Sequence, residues 1–416
     1  MKNFKKSIKV IFLLFFGYTY IFCQTLSKFT DSVEIMKLDQ TLHSRSQLGG
    51  VCVDRLGYIY VANFHDALWK ISPNGVVKLL SDGMYGSSGN CVDSRGDLYQ
   101  ANFYANTIVR IDRFGNVENY ITSGISGPVG MVFDPENNLY VCNFHSNNIL
   151  KIDTAKQISV FAESELFNGP NGIVVDNSGM LYVVNFNNSD VVRINASGES
   201  DVFSSTDGVD GNAHISYFND KFYVTKIKTN QVFVINSDGH CRLFAGGGTS
   251  GICGGPANEA SFSAPNGIAV DAISGEIYIN NLKGQWTSRR PSTIEISRIK
   301  LRTLSQILAT HLDANDQEGA TNAFWEYHKD TFHMREELGP QLSALGWQFM
   351  AKRNVAASIL LFDLLCQAYP DRWRPFYNLG EVYKIIGQTE KARANYVIAR
   401  DLKPDNPLVL ARLANL

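Results

Sequence analysis

The stretch G-I-V-V-D-N-S-G-M-L-Y-V-V-N-F, from Gly172 to Phe186, is an apolar run, a D-x-x-G turn, and a second apolar run ending in Asn-Phe. Nearly the same phrase stands at Gly50 to Phe64 (G-V-C-V-D-R-L-G-Y-I-Y-V-A-N-F), Gly89 to Phe103 (G-N-C-V-D-S-R-G-D-L-Y-Q-A-N-F) and Gly130 to Phe144 (G-M-V-F-D-P-E-N-N-L-Y-V-C-N-F). The aspartates Asp54, Asp93, Asp134 and Asp176 stand 39, 41 and 42 residues apart. Weaker copies run from His214 to Ile227 and from Gly267 to Asn281, so that the phrase occurs six times between Leu48 and Leu301. A period of about 40 residues built from short strands means the blades of a β-propeller. A single blade cannot bury both of its faces, so the array must close into a ring.

The first strand of each copy is small and apolar throughout, as suits an inner strand crowded on both sides. In the turns Asp54 to Gly57, Asp93 to Gly96 and Asp176 to Gly179, the aspartate can bond the backbone two residues on while glycine takes positive φ. These aspartates read as turn formers. A third strand is expected at 68–71, 108–111, 149–152, 191–194 and 232–235, and Phe161, Phe203 and Phe244 mark an outer fourth. Ring closure calls for an N-terminal strand on the last blade, with Val33 to Leu38 the candidate.

The chain has 416 residues, 44% hydrophobic and 19% charged, enough for two ordinary globular domains. Residues 1–23 are separate: Lys2, Lys5, Lys6 and Lys9 precede a short apolar run, the pattern of a secretory signal peptide. A lipoprotein reading of Cys23 is weaker, because bulky Phe22 precedes it; an uncleaved anchor is the third reading. Cleavage would leave Gln24 first and no transmembrane span, with the mature chain exported to the periplasm, the cell surface or the medium. Losing four lysines and no acid moves the net charge from -2 to -6, which argues against a nucleic-acid partner. Cys52, Cys91 and Cys142 read as small core residues; Cys241 and Cys253, flanking a glycine-rich loop, are the pair placed to form a disulfide. No C-x-x-C or H-x-x-x-H spacing marks a metal site.

The repeats resemble NHL-repeat propellers and, more broadly, the six-bladed superfamily of gluconolactonase-like and strictosidine-synthase-like proteins. The most specific stretch is F-A-G-G-G-T-S-G-I-C-G-G-P-A-N-E-A-S-F-S-A-P-N-G-I-A-V-D, Phe244 to Asp271, whose glycine loop and P-N-G-I-A-V-D look like an NHL inter-blade connection. The resemblance implies the fold and leaves function open among hydrolases, lyases and binding modules. It also implies that loops leading into the innermost strand and loops leaving the second strand share one face. Asn171 and Asn266 lie on the incoming loops; Asn63, Asn102, Asn143, Asn185 and Asn280 lie on the outgoing ones. Phe64, Phe103, Phe144 and Phe186 follow four of these, then His65, Tyr104, His145 and Asn187. Such amides and aromatics suit a neutral polar ligand. The competing reading is that each Asn-Phe pair caps a strand and fills the gap between blades.

Gluconolactonase-like enzymes hold one divalent metal, calcium or zinc, at the ring centre. Here Asn171 matches an expected asparagine, but the expected glutamate is replaced around Gln47 to Gly49 and the third blade has Val129. Asp210 or Asn212 could supply the fifth blade, and His65, His145 and His214 are a weaker alternative set. The sequence assigns no metal ligand and no cofactor, and it names no catalytic residue.

After Leu301 the period becomes helical. Leu342, Leu345, Gly346, Phe349, Phe362, Leu365 and Pro370 recur 34 residues later as Phe376, Leu379, Gly380, Tyr383, Tyr396, Ala399 and Pro404. This resembles two tetratricopeptide repeats, a small all-α domain of helical hairpins. A helix from Asp316 to Phe332 is expected before them, and Leu408 to Leu416 would cap the end. By resemblance, Ser343, Trp347, Met350, Arg374, Tyr377, Glu381 and Lys384 line a groove, with Trp347, Arg374, Tyr377 and Lys384 the partner-binding candidates. The expected organisation is therefore a signal peptide (1–23), an all-β six-bladed propeller (24–308) and a helical domain (309–416). The leading function is an exported propeller taking a small polar ligand or protein loop, with a partner-recruiting tail. A gluconolactonase-like hydrolase or lyase acting at the same face is the alternative.

Overall fold

The computed structural model describes residues 30–45, 47–206, 208, 211–257, 259–284, 291–330, 332 and 338–416. The expected signal peptide and Asp210 lie outside these residues. The chain forms two compact units, divided between Leu301 and Arg302, a few residues before the boundary expected from sequence.

The first unit is a six-bladed propeller. Blades 1 to 5 are four-stranded antiparallel sheets spanning 48–81, 87–121, 128–163, 170–205 and 212–245. Blade 6 takes its three inner strands from Ile268–Val270, Glu276–Lys283 and Ser292–Leu301. Its outer edge comes from the other end of the chain: β1 (Thr30–Ile35) and β2 (Leu42–Ser44) both pair antiparallel with Ser292–Leu301. The closing strand thus lies slightly before the expected 33–38 and has a second segment that sequence did not suggest. Val33 also exchanges both backbone hydrogen bonds with Gly255, so the long loop before blade 6 grips β1 from its far side. Inside that loop Ala260 and Phe262 are fully buried.

The turns form as their chemistry dictates. Asp54 Oδ1 accepts from the N–H groups of Leu56 and Tyr58 at 2.9 and 3.0 Å, and Gly57 has φ 78°. Asp176 does the same for Ser178 and Met180. The strand that follows returns a hydroxyl: Tyr60 donates to Asp54 at 2.9 Å and Tyr182 to Asp176 at 3.2 Å. Burial and the neighbouring carboxylate push the Tyr182 hydroxyl up to about 12. Blade 5 breaks the pattern. Asn219 and Asp220 both take positive φ, the two-residue hairpin turn that replaces D-x-x-G.

Around the axis the inner strands pack backbone to backbone. A Cβ on Gly50 would lie 2.9 Å from Gly89 Cα, one on Gly89 2.2 Å from Val129 O, and one on Gly130 2.2 Å from Asn171 O. Gly172 and Gly267 are equally tight, against His214 and Val51. Glycine is required there because the next blade occupies its side-chain space. Between the blades lie aliphatic and aromatic layers, such as Val129, Cys142, Ile149, Phe167, Ile173 and Val183 between blades 3 and 4.

The second unit is all-α: α1 (Leu304–Asp313), α2 (Gln317–Lys329), α3 (Leu338–Ala351), α4 (Val355–Ala368), α5 (Trp373–Ile385), α6 (Thr389–Leu402) and α7 (Pro407–Ala414). A Thr303–Gln306 capping box starts α1, and Asp316 and Asn354 cap α2 and α4. Two hairpins repeat one contact: a Cβ on Gly346 would lie 2.7 Å from the Phe362 ring, and one on Gly380 2.7 Å from the Tyr396 ring. At the end of the stack, Val409 of α7 joins Ala392, Tyr396 and Ala399 in one core.

No disulfide joins Cys241 and Cys253. Cys241 lies in the outer strand of blade 5, paired with Ile235, while Cys253 is exposed and faces Ser261 across an isolated bridge. The glycine loop is held by backbone bonds instead. Among the described residues, no helix is long and apolar enough to cross a membrane.

Candidate functional site

The outgoing asparagines are buried, and their amides are largely committed inside the fold. Asn63 Oδ1 accepts from the backbone N–H groups of His65, Asp66 and Ala67, which ties its own turn. Asn143 accepts from Ser126 N–H and donates to Asn148 Oδ1. Asn185 accepts from Asn168 N–H at 3.1 Å and donates to Leu166 O at 2.8 Å. In blade 6, Asn281 fills this role by accepting from Ser263 N–H. Ile268 pairs with Ile279 as Ile173 pairs with Val183, so Asn281, and not the expected Asn280, matches Asn185. Asn280 instead accepts from Gly267 N–H and donates to Gly49 O, bridging blade 6 to blade 1. The incoming asparagines are bridges too: Asn171 donates to Ala213 O at 2.6 Å and Asn266 to Gly49 O at 3.0 Å. These amides therefore hold the loops and the ring. Asn102 is the exception, since its Oδ1 is buried without a partner.

What the pinned loops present is aromatic. Phe64, Phe103, Phe144 and Phe186 are half-buried and form a continuous arc over blades 1 to 4, with successive ring centroids 5.5, 5.7 and 6.4 Å apart. Tyr104 packs edge-on against Phe64 and Phe103, and Tyr85 lies 5.4 Å from Tyr104. His145 lies 4.8 Å from Phe103 and 5.7 Å from Phe144. His65 pairs with Asp66 at 3.2 Å and makes no ring contact with the arc. The structure thus brings Phe64, Phe103, Phe144 and His145 together with Tyr104, and adds Tyr85.

Blade 5 departs from the others. His214 takes the place held by glycine in blades 1 to 4 and in blade 6, as its pairing register shows. Its imidazole makes no hydrogen bond to described residues, and burial lowers its pKa to about 4, so it is neutral at physiological pH. Lys226 replaces the asparagine and is fully buried, donating to Thr206 Oγ1 at 2.8 Å and Ser189 Oγ at 3.3 Å. The only sequence signal for Lys226 was the loss of Asn-Phe at Lys226–Ile227. A gluconolactonase-like metal does not fit the described residues. Asn171 spends its amide nitrogen on Ala213, Asn212 Oδ1 accepts from Thr206 Oγ1, and Val129 is apolar. No cluster of three His, Cys, Asp or Glu is present among the described residues.

In the helical unit, Arg374 lies over the Trp373 ring at 5.4 Å, and Tyr377 packs between Trp373 and Tyr396, each 5.8 Å away. Trp347 is half-buried against Phe362 at 5.3 Å. Lys384 is half-buried near the end of α5. Glu381, expected in the groove, is instead held by Arg412 at 2.7 and 3.0 Å and by the Tyr396 hydroxyl. It anchors α7 to α5.

No family model matches the chain, and no curated protein matches it in sequence. Solved structures match in fold. A Bacteroides thetaiotaomicron VPI-5482 protein of unknown function gives a TM-score of 0.52 at 15% identity, covering 65% of this chain and 76% of that one. An auxiliary nutrient binding protein of the same species gives 0.51 at 16% identity, covering 65% and 77%. A streptogramin B lyase gives 0.50 at 15% identity, covering 66% and 99%. At these identities the likeness is one of fold.

Proposed function

We propose that this chain is an exported binding propeller whose aromatic face takes a small, neutral, polar ligand. The observation that carries the reading is the arc of half-exposed rings on loops pinned by buried amides. Rigid aromatics supply contact area at little entropic cost, and the loops beneath them need no reordering to bind. One protein of similar fold is described as an auxiliary nutrient binding protein, in keeping with a binding role. The helical tail, read as two tetratricopeptide-like repeats, would recruit a protein partner through Trp347, Arg374, Tyr377 and Lys384. Calcium and zinc have no part in this reading.

Phe103 tests it, because its ring touches Phe64, Tyr104, Phe144 and His145. Neutral sugars, polyols and end-capped short peptides are screened by thermal shift against wild type and Phe103→Ala. The expected result is a ligand that stabilises wild type and binds the variant at least about tenfold more weakly, the size of effect usual for a well-packed aromatic anchor. A panel that never shifts wild type, or a shift unchanged in the variant, would overturn the reading. The alternative, a lactonase- or lyase-type enzyme at this face, has His214 in its favour. Burial keeps that imidazole neutral but also makes it a weak proton acceptor, which is why binding is preferred.

A further inference from the structure

Within the aromatic face, one junction leaves its outgoing asparagine short of a partner. In blades 3, 4 and 6 the outgoing asparagine accepts from the residue four places before the inner glycine: Ser126, Asn168 and Ser263. Blade 2 has Tyr85 at that position, and Asn102 Oδ1 is left buried without a partner. Directly opposite Asn102 across the strand pair stands Ser87, fully buried, whose hydroxyl is also without a partner. Two orphaned polar groups thus lie side by side, which folded proteins seldom tolerate without a reason.

They lie one residue below the most aromatic part of the rim. Asn102 leads into Phe103 and Tyr104, and Ser87 follows Tyr85 and Gly86. Tyr85 and Tyr104 are 63% and 53% exposed, the most open rings of the cluster, and Phe64 and Phe103 back Tyr104. Gly86, at φ +77°, lets the Tyr104 ring settle where a Cβ would lie 2.8 Å from it. Ser87 and Asn102 are 0% and 4% exposed, so a ligand group reaches them only when a rim ring such as Tyr104 swings aside.

The chemistry selects the occupant. The Asn102 amide nitrogen donates to Thr107 Oγ1 at 3.4 Å; turning the amide over would only exchange which end lacks a partner. A ligand group that both donates and accepts satisfies either arrangement, and it satisfies the Ser87 hydroxyl as well. The nearby Asp66 carboxylate is engaged by His65 at 3.2 Å and by the Asn63 amide at 3.1 Å, which leaves neutral Ser87 and Asn102 to meet the ligand. A hydroxyl beneath a rim of flat, apolar rings calls for a sugar ring, whose C–H face stacks on the aromatics while a hydroxyl points down. We propose that the junction of blades 1 and 2, formed by Tyr85, Tyr104, Ser87 and Asn102, is a subsite for one pyranose unit of a neutral carbohydrate. This rests on the binding reading above and names its ligand class and location.

The test titrates the full mature chain with glucose, galactose, mannose and N-acetylglucosamine, and with their disaccharides to tetrasaccharides, by calorimetry. Wild type, Ser87→Ala, Tyr104→Ala, Phe144→Ala and, as a control from a distant turn, Phe114→Ala are compared. The proposal expects saturable binding, weakened at least about tenfold by Ser87→Ala and Tyr104→Ala and unchanged by Phe114→Ala. Removing an orphaned buried hydroxyl should leave Ser87→Ala at least as stable as wild type, so loss of binding there cannot be loss of fold. Sugar binding abolished only by Phe144→Ala would overturn the subsite and leave the binding reading standing. So would sugar binding untouched in Ser87→Ala, which would show that water alone serves the orphaned groups. Binding of a capped peptide with no sugar bound would overturn the carbohydrate class alone. A chain that binds neither class would overturn both readings.

Discussion

At position 214 an imidazole stands where the equivalent inner-strand residue of every other blade is glycine, and acid should expose that difference. Its folded pKa, about 4, lies below the ordinary value of 6.5. The unfolded chain therefore takes up a proton before the folded one does. Stability is full above pH 6.5 and falls as the pH drops towards 4, by at most about 3 kcal/mol. His214→Asn, which cannot ionise, should flatten this part of the curve; urea melts at pH 7 and pH 4.5 measure it. An equal acid loss in both proteins would place the sensitivity elsewhere. The Asn280–Asn281 doublet shows what single residues conceal. Each D-x-x-G turn was legible because its bonds run within a few residues. Which asparagine faced which way was not, because it depends on a register set by the partner strand. Asn281→Ala should cost about 1–3 kcal/mol by orphaning the Ser297 hydroxyl and the Ser263 amide. Chemical denaturation checks this, and a neutral effect would mean the loop is held by other contacts.

At the scale of elements, the paired helices repeat one contact, and it can be broken twice. In Gly346→Ala and Gly380→Ala the new methyl would meet the Phe362 or Tyr396 ring well inside contact distance. Alanine favours a helix over glycine by about 1 kcal/mol, yet overpacking costs about 1–3 kcal/mol. Both variants should melt lower than wild type, by similar amounts; a rise in either would mean the rings yield easily. The 34-residue phase made these helices legible. Helix α1 was missed, since its apolar positions directly follow a strand and share no phase with the later repeats. The blade strands were legible for the same reason as the helices, namely repetition. The fifth copy was faint because its hairpin turns through two left-handed residues, Asn219 and Asp220, instead of Asp and Gly. The sequence left a disulfide between Cys241 and Cys253 open, because their place on either side of a glycine loop cannot show that one cysteine is fixed in a paired strand. The binding face was half legible: the rings stood out as repeats, whereas the commitment of the amides emerged only from hydrogen bonds between blades.

For the whole molecule, two tests concern its ends. If the N-terminal segment directs export, intact-mass measurement of the exported protein should show a chain beginning near Gln24; a full-length intracellular product would refute the reading. For the helical unit, residues 302–416 should melt cooperatively, whereas residues 339–416 should not. The shorter fragment lacks α1 and α2, whose buried Leu308, Leu312, Ala320 and Phe324 give the stack much of its core, and with them the contact of His328 with Tyr369. A cooperative melt of the shorter fragment would show that the two later hairpins suffice. The edge that β1 shares with Ser292–Leu301 also has a bearing on time. The strand synthesised first is paired last, after some 260 further residues, roughly 13–50 s of ribosome time at ordinary rates. Until β1 pairs, the strand Ser292–Leu301 presents a bare sheet edge, the kind of surface that recruits strands from other chains. Two nascent molecules could each lend the other its first strand, so ring closure is a race between an intramolecular search and exchange with a neighbour. High local synthesis would tilt that race towards interlocked pairs, and dilution would tilt it back towards single rings.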